Sequence, residues 1–211
     1  MGRRVVCISR LDGAGGEVVG QAVADVLGFQ LVDEEILQRA ADASGVSVEE
    51  LADAERRTKF IDGLIWNLAI SGGAASMMSL GASGVIDVGG GPDPKSLRAL
   101  IQTAIHETAE RGEVVIVSHA ASHALTDRDG VLRVLVTASP ETRAARVAQA
   151  DSIDDRKASK VVADSDARRA QFLRRFYGVA DERPTHYDLV LNSDTLSFQL
   201  MSDIVVRAAA N

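Results

Sequence analysis

Residues 9–20, Ser-Arg-Leu-Asp-Gly-Ala-Gly-Gly-Glu-Val-Val-Gly, set a glycine cluster between an apolar run and an amphipathic one. A strand feeding a glycine-rich turn and then a helix N-terminus makes an anion cradle. Backbone N–H groups converge in the turn, and the helix dipole adds partial positive charge. The chemistry is phosphate binding, and Asp12, Gly13, Ala14, Gly15, Gly16 and Glu17 are the positions that would face the phosphates. The usual pattern, G-x-x-x-x-G-K-[ST], is not met. With Gly13-Ala14-Gly15 as the turn, Gly16 stands where the lysine belongs and Glu17 follows it. Arg10, at the mouth of the turn, is a cation placed to reach back over the loop in the lysine's stead. The competing reading is a tight strand-to-helix turn that holds no ligand.

Other residues offer charge to the same region. Arg143 and Arg146 are three apart on one helical face, a spacing suited to stacking on a base or gripping phosphate; the alternative is a solvated face paired with Glu141. Asp33 follows a strand and is either a helix N-cap or a contact to an acceptor. His119, also after a strand, is either a phosphate donor or a satisfied strand-end histidine. Arg169, Arg174 and Arg175 flank a charged stretch, 151–169, of the kind a mobile lid carries. His106 reads as a solvated helix residue. His123 and His186 lack partners for a metal or nucleophilic site, and the four histidines show neither metal-ligand spacing nor a Ser-His-Asp arrangement. Met77-Met78 reads as loop packing.

The elements that must hold these groups follow from periodicity and punctuation. Val5–Ile8 reads as a buried strand, and Gly16–Leu27 as a helix with Val18, Val19, Ala22, Val23 and Val26 on one face, stopped by Gly28. Phe29–Val32 is a second strand. Residues 47–70 read as helical, with Ser47 and Glu50 as a possible capping box, and the glycine-rich stretch 71–93 as either a flexible loop or a weakly ordered segment that closes over a ligand. A helix runs from Pro94 to Arg111. Val114–Val117 and Val131–Val136 are apolar strands, and a helix after Pro140 reaches about Gln149. A further helix ends at Tyr177, Tyr187–Leu191 is the last strand, and Leu196–Ala209 the last helix. Strands alternating with helices predict an α/β fold: a three-layer parallel sheet with helices on both faces. Ligands of such sheets sit at the carboxyl ends of the strands, where Arg10, Asp33, His119 and Ser139 all fall.

Bulk properties narrow the class. The 211 residues suit one domain spanning 1–211, with 47–93 as an acceptor or closing segment and 150–170 as a lid. A net charge of -7 argues against nucleic-acid partners. The single cysteine, Cys7, lies in a strand and reads as a buried hydrophobe in a protein of the reducing cytoplasm. The apolar run after Arg3-Arg4 is too short for a signal peptide, no run approaches the ~18 apolar residues of a membrane span, and Val6 breaks the myristoylation pattern. Oligomeric state is not legible.

The blocks Ile8-Ser9-Arg10, Gly13-Ala14-Gly15-Gly16, Leu27-Gly28 and Val32-Asp33-Glu34-Glu35-Ile36 resemble the opening of the cytidylate kinase-like family, a branch of the P-loop nucleoside-monophosphate kinases. The resemblance recurs in Val131–Arg146, in Asp166-x-x-Arg169-Ala170, in Arg174–Gly178 and in His186–Asn192, leaving 47–93 poorly matched. It implies a P-loop kinase fold and ATP- and Mg2+-dependent phosphoryl transfer to CMP, dCMP or a related small acceptor. It also implies a lid that excludes water. Under it, Arg10 and Arg169 are the catalytic cations, residues 12–17 with Arg143 and Arg146 bind the cofactor, and Asp33, His119, Arg174 and Arg175 serve the acceptor; no protein-bound metal set is expected. Four residues depart from true cytidylate kinases: Gly16 for lysine (a double glycine the branch generally has), Glu17 where the branch often has arginine, and Ser118-His119 for Gly-Arg. They leave two further readings, a silent nucleotide-binding regulator and a kinase for a non-nucleotide acceptor.

Overall fold

The computed structural model describes residues 2–33, 94–117 and 120–211. Nearly all belong to one compact unit, residues 1–36 with 102–211. The sequence expectations for 47–70 and 71–93, and those for Ser118 and His119, lie outside the described residues.

Five parallel strands are described: β1 (Val5–Arg10), β2 (Gln30–Val32), β3 (Val114–Val117), β4 (Val131–Thr137) and β5 (Leu189–Asn192), in the order β2-β3-β1-β4-β5. The helices are α1 (Gly16–Leu27), α2 (Pro94–Arg111), α3 (Ala121–Ala124), α4 (Pro140–Asp151), α5 (Asp155–Tyr177) and α6 (Phe198–Ala209). β1 lies at the centre, with Cys7 in register with Ile116 on one side and Arg133 on the other. Its unbroken apolar run is what a strand covered on both faces requires. Cys7 is fully buried, and burial pushes its thiol up to about 12, the behaviour of a packing residue. The chain leaves β1 toward β2 and β3 on one side and returns to β4 and β5 on the other. The carboxyl end of β1 is thus the switch point where such sheets bind ligands.

Most element bounds follow the apolar runs, with local exceptions. β1 extends through Arg10, so that residue is the strand's last and not the first beyond it. The face of α1 is narrower than its valines suggest: Val19 and Val23 are buried with Gly16, Gly20 and Ala24, while Val18 and Val26 are exposed. Tyr187 precedes β5 because a 3-10 turn, Pro184–His186, supplies the corner. The charged stretch 151–169 forms most of α5, capped at its start by Asp154, which accepts from Lys157 N–H at 2.9 Å. Ala158 and Val162 pack on Ala144 of α4, so α4 and α5 form a hairpin. α6 lays Met201, Val205 and Ala209 into the core shared by α1 and β1, β3 and β4. No helix among the described residues is long and apolar enough to cross a membrane.

Candidate functional site

The loop between β1 and α1 is shaped by what holds its carbonyls. Leu11 C=O accepts from Ala14 N–H at 2.9 Å, and Gly15 C=O from Val19 N–H at 3.2 Å. Asp12 C=O accepts from Arg143 Nη1 at 3.4 Å, and Gly13 C=O from Arg146 Nη1 at 3.1 Å. Ala14 C=O accepts from Ser193 Oγ at 2.8 Å. Five consecutive carbonyls are thereby engaged by protein donors. The start of α1 has no side-chain cap, and Gly15 at its N-cap is left-handed. That division, carbonyls taken by the scaffold and the helix N-terminus left to a ligand, is what an anion cradle needs.

The glycines are dictated by close approach. A Cβ at Gly13, where φ is 76°, would lie 2.7 Å from the backbone oxygen of Arg143, and one at Gly15 2.3 Å from the Phe198 ring. Gly16 answers the missing-lysine question: its Cβ would meet Arg10 Cβ at 2.6 Å. Arg10 therefore occupies the room that a side chain at position 16 would need. Its Nη1 lies 2.8 Å from Glu17 Oε1 and 3.5 Å from Asp12 Oδ1, so loop cation and loop acids form one cluster.

Restoring the letter of the usual pattern with Gly16→Lys is accordingly expected to harm the protein. Overpacking against the anchored Arg10 Cβ costs about 1–3 kcal/mol. Denaturant unfolding should show the loss in the parent background, should show it still in Arg10→Ala, which keeps the offending carbon, and should show it relieved in Arg10→Gly. An unchanged midpoint for Gly16→Lys alone would mean the loop has room for both side chains.

Arg143 and Arg146 stand behind the loop and not on a solvated face. Arg143 is 2% exposed, donates from Nε to Ala138 C=O at 3.2 Å, and forms a two-pronged pair with Asp166 at 2.8 and 2.6 Å. Arg146 donates to Ser193 Oγ at 2.8 Å and Ser193 C=O at 2.9 Å, and its guanidinium lies over the Phe198 ring at 5.2 Å. Ser139, also expected at the ligand end, caps α4: its Oγ accepts from Thr142 N–H, and Asp194 accepts from its N–H at 3.0 Å. The hydrogen bond to Thr142 and the Ser139 donors hold the Asp194 carboxyl low.

A second cluster was not foreseen. Arg169 donates from Nε and Nη2 to Glu182 at 2.8 and 2.6 Å, Tyr187 Oη donates to the same carboxylate, and His123 Nε2 lies 3.2 Å from that hydroxyl. His123 thus joins a hydrogen-bonded and aromatic cluster, its ring meeting those of Tyr177, His186 and Tyr187 at 5.7–5.8 Å. His186 Nδ1 accepts from Arg183 N–H at 3.3 Å. Burial alone would raise the Glu182 carboxyl and lower the Arg169 guanidinium. Their mutual hydrogen bonds outweigh it, holding Glu182 well below the usual carboxylate range and Arg169 above its ordinary value. Burial and the bond to Glu182 push Tyr187 up to about 12. Arg169 and Asp166 line, with Leu11 of the loop, a cavity of ≈ 220 Å³.

Asp33 directly follows β2. Arg174 and Arg175 are exposed in the last turn of α5, where cations complement the helix dipole. Arg174 donates to Ala180 C=O at 3.4 Å, and Arg175 lies over Phe176 at 5.8 Å. The Asp166-x-x-Arg169 spacing places both on one face of α5, a signal the sequence did carry; Glu182, Ser193 and Phe198 had none.

Comparison with known proteins fits this geometry. The profile of the Cytidylate kinase-like family matches residues 5–195. A cytidylate kinase of Archaeoglobus fulgidus is 24% identical over 208 residues, covering 96% of this chain and 93% of its own. One from Methanoculleus marisnigri is 29% identical over 118 residues, 56% of this chain, and the match spans only 64% of that protein's length. The shikimate kinase of Bacteroides thetaiotaomicron superposes with a TM-score of 0.52 at 15% identity, covering 96% of this chain and 94% of that one, a likeness of fold.

Proposed function

The chain belongs to the cytidylate kinase-like family, and from that premise we propose that it is a phosphotransferase moving the γ-phosphoryl group of ATP to CMP, dCMP or a related small acceptor. The observation that carries the reading is the loop itself, whose carbonyls from Leu11 to Gly15 are all engaged by the scaffold while α1 begins without a side-chain cap. A triphosphate needs that arrangement of dipoles, and phosphoryl transfer asks mainly for positioning and charge neutralisation.

In this reading the amides of Gly13, Gly15 and Gly16 bind the donor phosphates. Arg10 stands in for the lysine, with its β-carbon packed where a lysine's own would be. Asp12 and Glu17 are the carboxylates nearest the loop, and Mg2+, when bound with the nucleotide, neutralises phosphate charge there. Arg143 and Arg146 act as positioning residues, holding the loop open from behind. Arg169, on α5, is the second cation of the reaction and must leave Glu182 to reach phosphate. Asp33, His119, Arg174 and Arg175 are the acceptor-side candidates. A cytoplasmic location is part of the same proposal.

One observation favours a second reading. Both proposed catalytic cations are already paired, Arg10 with Glu17 and Arg169 with Glu182, as in a nucleotide-binding regulator that kept the fold and gave up turnover. Incubation with ATP, Mg2+ and a panel of monophosphates separates the two. ADP release stimulated by CMP or dCMP supports the kinase; a nucleotide-dependent rise in melting temperature without turnover supports the regulator. Arg10→Ala is expected to weaken ATP binding by at least about tenfold, the scale of one lost charge-assisted contact to phosphate. Unchanged binding would remove Arg10 from the site.

A further inference from the structure

Resting on the reading of the loop as a phosphate site, we infer that Glu17 makes it selective for metal-complexed nucleotide over the free nucleotide. Among the described residues, Arg10 is the cation set at this loop; the neighbouring Arg143 and Arg146 direct donors to the loop's own carbonyls and to Asp166 or Ser193. Arg10 faces two carboxylates at once, Glu17 at 2.8 Å and Asp12 at 3.5 Å. Among the described residues, the side chains at the mouth, Arg10 with Asp12 and Glu17, therefore sum to a negative charge, and what draws an anion in is the set of amides and the dipole of α1.

A negative rim does not treat all polyphosphates alike. Repulsion scales with the charge of the ligand, and a divalent cation removes two charges from a triphosphate. Glu17 is half exposed at the rim of the loop, so its field is screened yet still acts on whatever enters. The free anion must also take Arg10 away from Glu17, whereas the complexed one brings a positive partner for the carboxylate it displaces. Arg10 is loosely enough held for this exchange: its pairing with Glu17 runs through Nη1, and its buried Nε has no hydrogen-bond partner among the described residues. Glu17 sits in the first turn of α1, where an acid complements the dipole, so the carboxylate is tolerated there without harm to the fold.

Calorimetric titration of the whole chain with ATP, once in EDTA and once with excess Mg2+ at matched ionic strength, tests this on the parent and Glu17→Gln. The expected result is that Glu17→Gln tightens metal-free ATP about tenfold and the magnesium complex by no more than about threefold, as charge scaling requires. Its melting temperature should stay that of the parent. Equal tightening of both forms, or of neither, overturns the inference while leaving the phosphate site standing. A parent that binds neither form overturns the phosphate-site reading itself, and the inference with it.

Discussion

Glu182→Gln is expected to lower stability by roughly 3–5 kcal/mol at neutral pH, the scale for removing one partner of a buried ion pair. Arg169 and Glu182 are each about four-fifths buried, and the carboxylate gathers two guanidinium nitrogens and the Tyr187 hydroxyl. An amide in its place leaves a desolvated guanidinium without its counter-ion. In a protein of this size that loss moves the melting temperature down by about 10 °C. Arg169→Met in the same chain should recover part of it, because it removes the desolvated guanidinium that the amide leaves without a counter-ion. The pH dependence has a definite sign. Glu182 is held below its ordinary value when folded, so its contribution is present above the unfolded carboxyl value, about 4.3, and is lost as pH falls toward the folded one. Tyr187 acts at the other end: its raised value, about 12, means stability falls as pH rises from about 10 toward 12. Denaturant unfolding of parent and Glu182→Gln between pH 2 and 7 should show curves that converge on the acid side; parallel curves would mean the carboxylate is not what titrates.

That cluster also marks the boundary of what the chain discloses before it folds. Val114–Val117 and Gly16–Leu27 coincide with the structure to the residue, because an unbroken apolar run and a glycine stop are local facts. So is the loop, whose residue types announce a close-approach turn. Arg143 and Arg146 were legible as one face of a helix, but not as an inward one. An arginine reads as polar, and only the packing of α5 and β5 beside α4 turns that face toward the loop carbonyls. Glu182 pairs with Arg169 across a turn of irregular chain, with no periodicity to connect them. The Gly16 substitution was visible as a missing lysine; that Arg10 fills the same space is a fact of the last residue of β1 leaning on the first of α1, which spacing along the chain does not encode.

The inward arginine leads to the other large effect. Arg143→Ala is expected to cost about 3–5 kcal/mol, since it empties a filled site and strands the carbonyls of Ala138 and Asp12. Stability alone would not separate a strut from a residue that shapes the site. Arg143→Met combined with Asp166→Leu does: an apolar pair fills the volume without a buried charge, and Asp166, more than a third exposed, is a partner whose removal leaves no cavity in the core. The double variant should recover the share of the loss that comes from the emptied volume and the unpaired charge, leaving only that of the two stranded carbonyls. If Arg143 merely fills space, ATP binding returns with it. If Arg143 holds the loop, the Asp12 carbonyl is left without its donor and is free to turn toward the phosphates. ATP binding then stays at least about tenfold weaker in a protein that is still fully folded under the assay conditions, the penalty of one misdirected backbone dipole at an anion site. The same reasoning orders the two arginines. Arg146 carries the Gly13 carbonyl directly and Ala14 through Ser193, so losing it should affect binding more than losing Arg143. Its stacking on Phe198, which itself covers Gly15, ties the loop to the first turn of α6 and makes the start of that helix part of the site.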